Sequence, residues 1–177
     1  MPQLLEDNFN KLTEKSKLIF ERLYEQFKAY DAQVKQYDAE IENEANQNIR
    51  CKAIMKIEGI GPLTASAVIA TIGDASLFKN GREVAAWLGL VPKQHSSGNT
   101  TRLSGISKRG DKYVRTLLIH GARAALKYCD RKTDRRSLWI SSKKIRSGFN
   151  IAAVALANKN ARIIWAMLTT GECYRTV

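Results

Sequence analysis

The sequence predicts an all-α fold: a long coiled-coil-like helical arm over residues 1–48, then a compact helical domain over residues 49–177. Three observations predict it. Phe20, Leu23, Phe27, Tyr30, Val34, Tyr37 and Ile41 follow one another at steps of three and four, a heptad stripe. Apolar residues from Val114 to Leu126 and from Ile151 to Trp165 recur at helical spacing. No stretch alternates with the period of a strand.

Composition narrows the function classes. The chain has 177 residues, with 29 Lys+Arg against 17 Asp+Glu and a formal net charge of +12. That length can bury a real core, and an apolar content of 44% is not that of a disordered tail. No apolar run approaches the ~20 residues of a membrane helix, and the N-terminus lacks the pattern of a secretory signal. Cys51, Cys129 and Cys173 are far apart and odd in number, so they show neither zinc spacing nor a disulfide framework. A reducing cytoplasm is the expected setting.

The charge is uneven. Residues 1–50 hold seven Lys/Arg and ten Asp/Glu; residues 51–177 hold twenty-two and seven. An acidic arm thus precedes a strongly basic body, and such a body points first to nucleic acid.

The arm has no Gly or Pro from Asn8 to Asn48. A helix of about 40 residues spans about 60 Å, more than the body can cover, so its stripe predicts dimerisation or docking through residues 20–41. Aromatic residues at core positions argue against a simple two-stranded zipper. The body opens with Ile54 and Ile57 on one helical side. Then comes a Gly59-Ile60-Gly61 turn, and Pro62 starts a helix backed by Leu63, Ala67, Val68 and Ala70. Helix, Gly-hydrophobic-Gly, helix is the pattern of a helix-hairpin-helix. Its glycines permit a tight turn with exposed amides that hold a phosphate without reading a base, while Ile60 plugs the core. Asp74 and Ser76 read as caps and Phe78 as an anchor. A short helix from about Gly81 to Leu88 turns Val84, Ala85, Trp87 and Leu88 inward.

Residues 89–110 have no helical period, four Gly, four Ser and no acidic residue. They read as a long functional loop. Lys93, Arg102, Lys108 and Arg109 suit a backbone phosphate. Ser96 and Ser97, before Gly98, are a possible nucleophile, with His95 as a proton relay; serines in loops also simply form turns. Asp111 caps a helix to about Tyr128. Its core face is Val114, Leu117, Leu118, Ala122 and Leu126, and its basic face includes Lys112 and Arg115, further phosphate candidates. Residues 131–147 form a basic stripe around Leu138, Trp139 and Ile145, taken as the inward face. The small, apolar helix from about Asn150 to Leu168 is the expected core helix.

Seven runs then fall in one order. They are Glu58-Gly-Ile-Gly-Pro-Leu-Thr-Ala-Ser66, Phe78-Lys-Asn-Gly-Arg82, Ala86-Trp-Leu-Gly-Leu-Val-Pro92, His95-Ser-Ser-Gly98, Gly105-Ile-Ser-Lys-Arg-Gly-Asp111, Leu117-Leu-Ile-His-Gly-Ala-Arg123 and Asn150-Ile-Ala-Ala-Val-Ala-Leu-Ala-Asn158. Together they resemble the C-terminal domain of the insertion-sequence 110 family of transposases, the bridge-RNA-guided DNA recombinases. The resemblance covers about residues 50–175, and the heptad arm fits the coiled coil that precedes this domain in the family. It implies a serine that attacks a DNA phosphodiester and becomes linked to DNA. The matching position is Ser97, with Ser96 as the fallback. Arg102, Lys108 and Arg109 are then candidates to stabilise charge on the phosphoryl group. The resemblance also implies DNA and guide RNA as partners. Mg²⁺ is expected from a RuvC-like domain that these 177 residues do not include; no metal ligand is assigned to this chain. The acids of residues 1–50 sit between heptad positions and do not resemble a metal cluster, so the expectation is a domain that binds nucleic acid and does not cleave alone. Without the resemblance, the residues favour a non-catalytic helix-hairpin-helix DNA- or RNA-binding module. A structural scaffold with a merely solvated basic face is the third alternative.

Overall fold

The computed structural model describes residues 12–97 and 100–175, without the side chains of residues 96, 97, 100 and 101. The chain divides into two compact units, Met1–Asn43 and Glu44–Val177. The described part of the first is a single helix.

That helix, α1, runs from Glu14 to Gln47, about 50 Å at 1.5 Å per residue. Thr13 begins it, its Oγ1 accepting the Ser16 amide at 3.2 Å. The stripe from Phe20 to Tyr37 is exposed; Phe27, Tyr30 and Tyr37 each keep more than 60% of their surface. Asn48 interrupts the helix, and its Oδ1 accepts from the Arg50 and Cys51 amides to start α2, Ile49–Ile54.

Among its described residues the body is built of helices and 3₁₀ turns, apart from two paired strands. After α2 come α3 (Pro62–Ile72), a 3₁₀ turn (Ala75–Leu77) and α4 (Gly81–Trp87). Strands β1 (Pro92–Ser97) and β2 (Thr100–Ile106) follow, then α5 (Lys112–Leu126), a second 3₁₀ turn (Cys129–Arg131), α6 (Arg135–Ser147) and α7 (Phe149–Thr170). Side-chain caps from Asn80, Asp111 and Asp134 open α4, α5 and α6. The fold is all-α as predicted, but Pro92–Ser97 and Thr100–Ile106 are the two strands of a β-ribbon within what the sequence suggested was an irregular loop.

Helix α7 is the centre of the body, packing on α2, α4, α5 and α6. Ala152, Ala153, Ala157 and Ala161 line its buried face, and small side chains there let neighbours approach. By length and hydropathy alone α7 could cross a membrane, a property the run-by-run reading of the sequence did not pick up. Its buried stripe beneath four shorter helices is what a core helix also requires.

Several inward faces differ from expectation. On α3 they are Thr64, Ala65, Val68 and Ile72, with Leu63 exposed. On α6 they are Arg136, Ser137 and Ile140, while Leu138 and Ile145 lie exposed. Trp87 is half-exposed against Phe78, ring centroids 5.3 Å apart.

The Gly59 turn is pinned by a backbone contact. Gly59 has φ +85°, and a Cβ on Gly121 in α5 would lie 1.8 Å from the Gly59 carbonyl oxygen. An alanine inside an open helix gains about 1 kcal/mol over glycine. Here Gly121→Ala is expected to destabilise by about 2–4 kcal/mol, because backbone must move. Urea denaturation checks the sign; a stabilised variant would show that this contact does not hold the turn.

Candidate nucleic-acid interface

The ribbon is antiparallel, pairing His95 with Arg102, Ser96 with Thr101 and Ser97 with Thr100. A bulge between Pro92 and Gln94 sets Lys93 against an extra residue on β2. Near it the Ser104 hydroxyl donates to the Lys93 carbonyl at 3.5 Å. Lys93, Gln94, His95, Arg102, Leu103 and Ser104 are all exposed. The backbones of Ser96 and Ser97 thus lie at the far end of β1, while their side chains, and all of Gly98, lie outside the described residues.

The base of the ribbon is rigidly built. Ser107 N–H donates to Val91 O at 2.8 Å and Lys108 N–H to Gly89 O at 3.2 Å. Two glycines let these segments touch. Gly89 and Gly110 have φ +70° and +80°; their Cβ atoms would fall 2.1 Å from Arg109 O and 1.8 Å from Trp87 O. The Asn158 amide of α7 donates to Leu90 O at 3.2 Å. Arg115 departs from its expected place among exposed phosphate contacts. It is only 7% exposed, and its Nη1 lies 3.1–3.4 Å from the carbonyls of Leu88, Arg109, Gly110 and Asp111.

The other basic candidates remain outward. Lys93, Arg102, Lys108, Arg109 and Lys112 are exposed, and none forms an ion pair among the described residues. Lys108 is held at φ +56°, a left-handed conformation that costs a non-glycine residue about 1 kcal/mol. In the Gly59–Gly61 turn, the Ile60 amide departs from the expected open donor: it is used by Ile57 O at 3.0 Å. Gly61 is exposed and starts α3 without a side-chain cap, followed by Pro62. The end of α3 therefore has amides that no capping side chain occupies.

The seven acids of residues 51–177 explain why this basic surface stays uncompensated. Asp74, Asp111 and Asp134 cap helices or turns, and Glu83 accepts the Lys79 amide. Glu58 pairs with Lys132, and Asp130 pairs with Lys144 while also accepting from Ser141. The Lys144 and Ser141 bonds hold the Asp130 carboxyl down at about 2. Glu172 remains. Among the described residues no group of three or more His, Cys, Asp or Glu could hold a metal ion.

Sequence reasoning missed two features. One is a groove of about 1500 Å³, bounded by Leu103 and Ile106 of the ribbon, Arg82 of α4, and Ile151, Val154 and Arg162 of α7. The other is buried Arg136, whose guanidinium donates to Glu58 O, Asn160 Oδ1 and Tyr174 Oη.

The fold and this surface define a helical, basic domain that presents an arginine-anchored β-ribbon. Comparison with known proteins gives it a lineage. Residues 51–138 match the family described as "Transposase IS116/IS110/IS902 family". The chain is 49% identical over 157 residues to a "Probable family 20 transposase" of Pseudomonas aeruginosa, covering 89% of this chain and 46% of that protein. It is 46% identical over 175 residues to the "Transposase for insertion sequence element IS1111A" of Coxiella burnetii, covering 99% and 48%. Against the "Transposase for insertion sequence element IS1328" of Yersinia enterocolitica it is 35% identical, covering 86% and 46%. The chain is thus a member of the IS110-type transposase family, and it spans about half the length of these curated relatives.

Replacing Arg115 by Ala is expected to cost about 2–4 kcal/mol, since several carbonyls lose a charged donor in a buried site. Amide exchange at Ser107 and Lys108 is expected to accelerate before global unfolding does. Unchanged exchange there would separate Arg115 from the ribbon.

Proposed function

We propose that this chain is the serine-bearing, nucleic-acid-binding part of a DNA transposase. The observation that carries the reading is the ribbon, which sets Ser96–Ser97 at the end of a strand flanked by unpaired Lys93 and Arg102, on a base bearing Lys108 and Arg109. Membership of a transposase family supports DNA as the substrate.

In this reading the Ser97 hydroxyl attacks a DNA phosphodiester. A Ser Oγ–P bond forms, one strand oxygen leaves as a hydroxyl, and the strand stays covalently attached. Ser96 is the fallback nucleophile. Arg102, Lys108 and Arg109 stabilise the extra charge on the phosphoryl oxygens as bonding changes. Lys93 and Lys112 hold neighbouring phosphates, and Gly59 and Gly61 bring the open end of α3 to another in helix-hairpin-helix fashion. Arg115 acts behind this surface by fixing the ribbon base, and Ile60 by filling the core. These are backbone contacts; target choice belongs to a guide RNA or to other parts of the assembly.

Among the described residues no cluster of acids, histidines or cysteines fits a metal site, so no step proposed for this chain is routed through one. The Mg²⁺ carboxylates belong to a RuvC-like partner domain, and the active site is composite. The exposed stripe over residues 20–41 is the docking face for that partner or for a second copy of the arm. A cytoplasmic setting goes with this role.

The decisive experiment incubates donor DNA and Mg²⁺ with this chain, alone and with a RuvC-like domain supplied in trans, and looks for a protein–DNA adduct on a denaturing gel. An adduct is expected only with the partner, lost in Ser97→Ala and kept in Ser96→Ala. Adducts that survive both substitutions refute a serine nucleophile and leave the non-catalytic binding module. Adducts from the chain alone refute the need for a partner.

Lys108→Gly separates binding from folding. Relief of the left-handed backbone is expected to raise stability by about 0.5–1 kcal/mol, while DNA affinity drops several-fold through loss of a phosphate contact. Unchanged affinity would remove Lys108 from the interface.

A further inference from the structure

A second, smaller cleft lies where the start of α6, the middle of α7 and the segment after α7 meet. Its volume is about 350 Å³, and it is lined by Arg135, Arg136, Trp139, Lys159, Tyr174 and Arg175, with Ile163 at its wall. Four of these side chains are cationic, and none of the lining residues is acidic.

The cations lack ion-pair partners. Among the described residues none of the four forms an ion pair. Asp134, whose field reaches Lys159, is occupied as the cap of α6, accepting the Ser137 amide at 3.0 Å. Arg136 is only 8% exposed and meets neutral acceptors alone: Asn160 Oδ1 at 2.7 Å, Tyr174 Oη at 3.0 Å and Glu58 O at 3.2 Å. Its Nε has no partner. Lys159 Nζ lies 4.3 Å from the centre of the Trp139 ring. Burial, then repulsion from Arg136, Arg135 and Arg162, holds its ammonium below the usual lysine range.

The hydrogen bonds of Arg136 tie Tyr174 to the Glu58 turn, which gives that residue a structural role. They give none to Arg135, Lys159 or Arg175, which make no side-chain hydrogen bond among the described residues. Clustering partly desolvated like charges is unfavourable unless an anion completes them.

We propose that this cleft is a further phosphate-binding site, holding a phosphodiester of a nucleic-acid strand between Arg135, Lys159 and Arg175. Arg136 is the fixed charge behind them. The cleft shares Trp139, Lys159 and Ile163 with the groove that reaches the ribbon. Arg82, Lys143 and Arg162 line that groove. A strand held at the ribbon therefore has a groove leading into the cleft, with these cations spaced along a largely apolar wall, and cationic grooves of this kind hold the backbone of a strand. The inference rests on the nucleic-acid-binding reading above and goes beyond it, because no serine-loop residue takes part.

The test uses the lowered basicity of Lys159. The whole chain is acetylated briefly with acetic anhydride, and each lysine is read by mass spectrometry. The arms are no addition, inorganic phosphate, duplex DNA, single-stranded DNA and RNA. Nucleic acid is expected to slow acetylation of Lys159 about threefold or more relative to Lys28 and Lys35 on the arm, as a phosphate contact excludes the reagent. The polynucleotide that protects best identifies the strand. In parallel, Arg135→Ala/Lys159→Ala is expected to weaken binding about tenfold and to reduce the salt slope by about 1–2. The charge-matched Lys28→Ala/Lys35→Ala leaves both within about twofold. A strand that binds while Lys159 stays fully reactive overturns this site alone, as does a double variant matching the arm control. Equal protection by inorganic phosphate overturns the strand assignment. No binding by any polynucleotide overturns both this site and the proposed function.

Discussion

The Arg115 guanidinium, buried and without a carboxylate, holds the ribbon to the helical body. Its acceptors lie on both segments that frame the ribbon: Leu88 on the way in, Arg109, Gly110 and Asp111 on the way out. A carboxylate partner would bind Arg115 at one point, whereas several carbonyls spread the charge across two chain segments. The arrangement demands backbone contact that only glycine permits at residues 89 and 110. The short Gly-Leu-Val-Pro and Gly-Ile-Ser-Lys-Arg-Gly-Asp runs are therefore two halves of one junction, with Arg115 as the third component.

Helix α5 carries this junction near its start and the Gly59 turn at Gly121. Six residues separate the two positions, about 9 Å along the axis. Both backbone-presenting features, a ribbon and a glycine turn, thus bear on one helix that α7 supports from within. Rigid placement of these basic segments follows from that support rather than from the ribbon itself, whose described side chains outside its base are exposed.

The same exposure explains what the sequence could and could not reveal. A heptad stripe is a local pattern, so α1 was readable from Phe20 to Ile41. The inward face of α5 was readable for the same reason, with Val114, Leu118, Ala122 and Leu126 all buried. The ribbon buries too little to leave an alternating apolar pattern, so its period-two signal was absent. Arg115 and Arg136 were placed outside because arginine is seldom buried. On α6 this inverted the helix: Leu138 and Ile145 seemed inward and Arg136 outward, whereas the structure has them reversed. Only the long-range acceptors, Leu88 O for one arginine and Glu58 O for the other, make those positions favourable, and no local pattern encodes them. Of the candidate site, the outward position of Lys93, Arg102, Lys108, Arg109 and Lys112 was legible; the division between Arg115 as anchor and Arg109 as surface cation was not.

Helix capping and surface charge are coupled in this body. A short helix needs acceptors at its N-terminus, and aspartate supplies them with a negative charge that also suits the helix dipole. Asp111 and Asp134 stand at such ends, so their carboxylates are engaged by helix amides. The ion pairs to Lys132 and Lys144 use two more acids. Asn48 and Asn80 cap without charge, so those helix starts add no further acid. A body with many short helices and few acids consequently keeps most of its lysines and arginines without an ion-pair partner among the described residues. The basic surface is then not an independent feature laid over the fold, because the capping that starts helices and turns engages three of the seven acids, and none of those three forms an ion pair among the described residues. Field and fold have a common origin in where the seven acids are placed, and a strand of phosphates is the kind of partner such a field attracts.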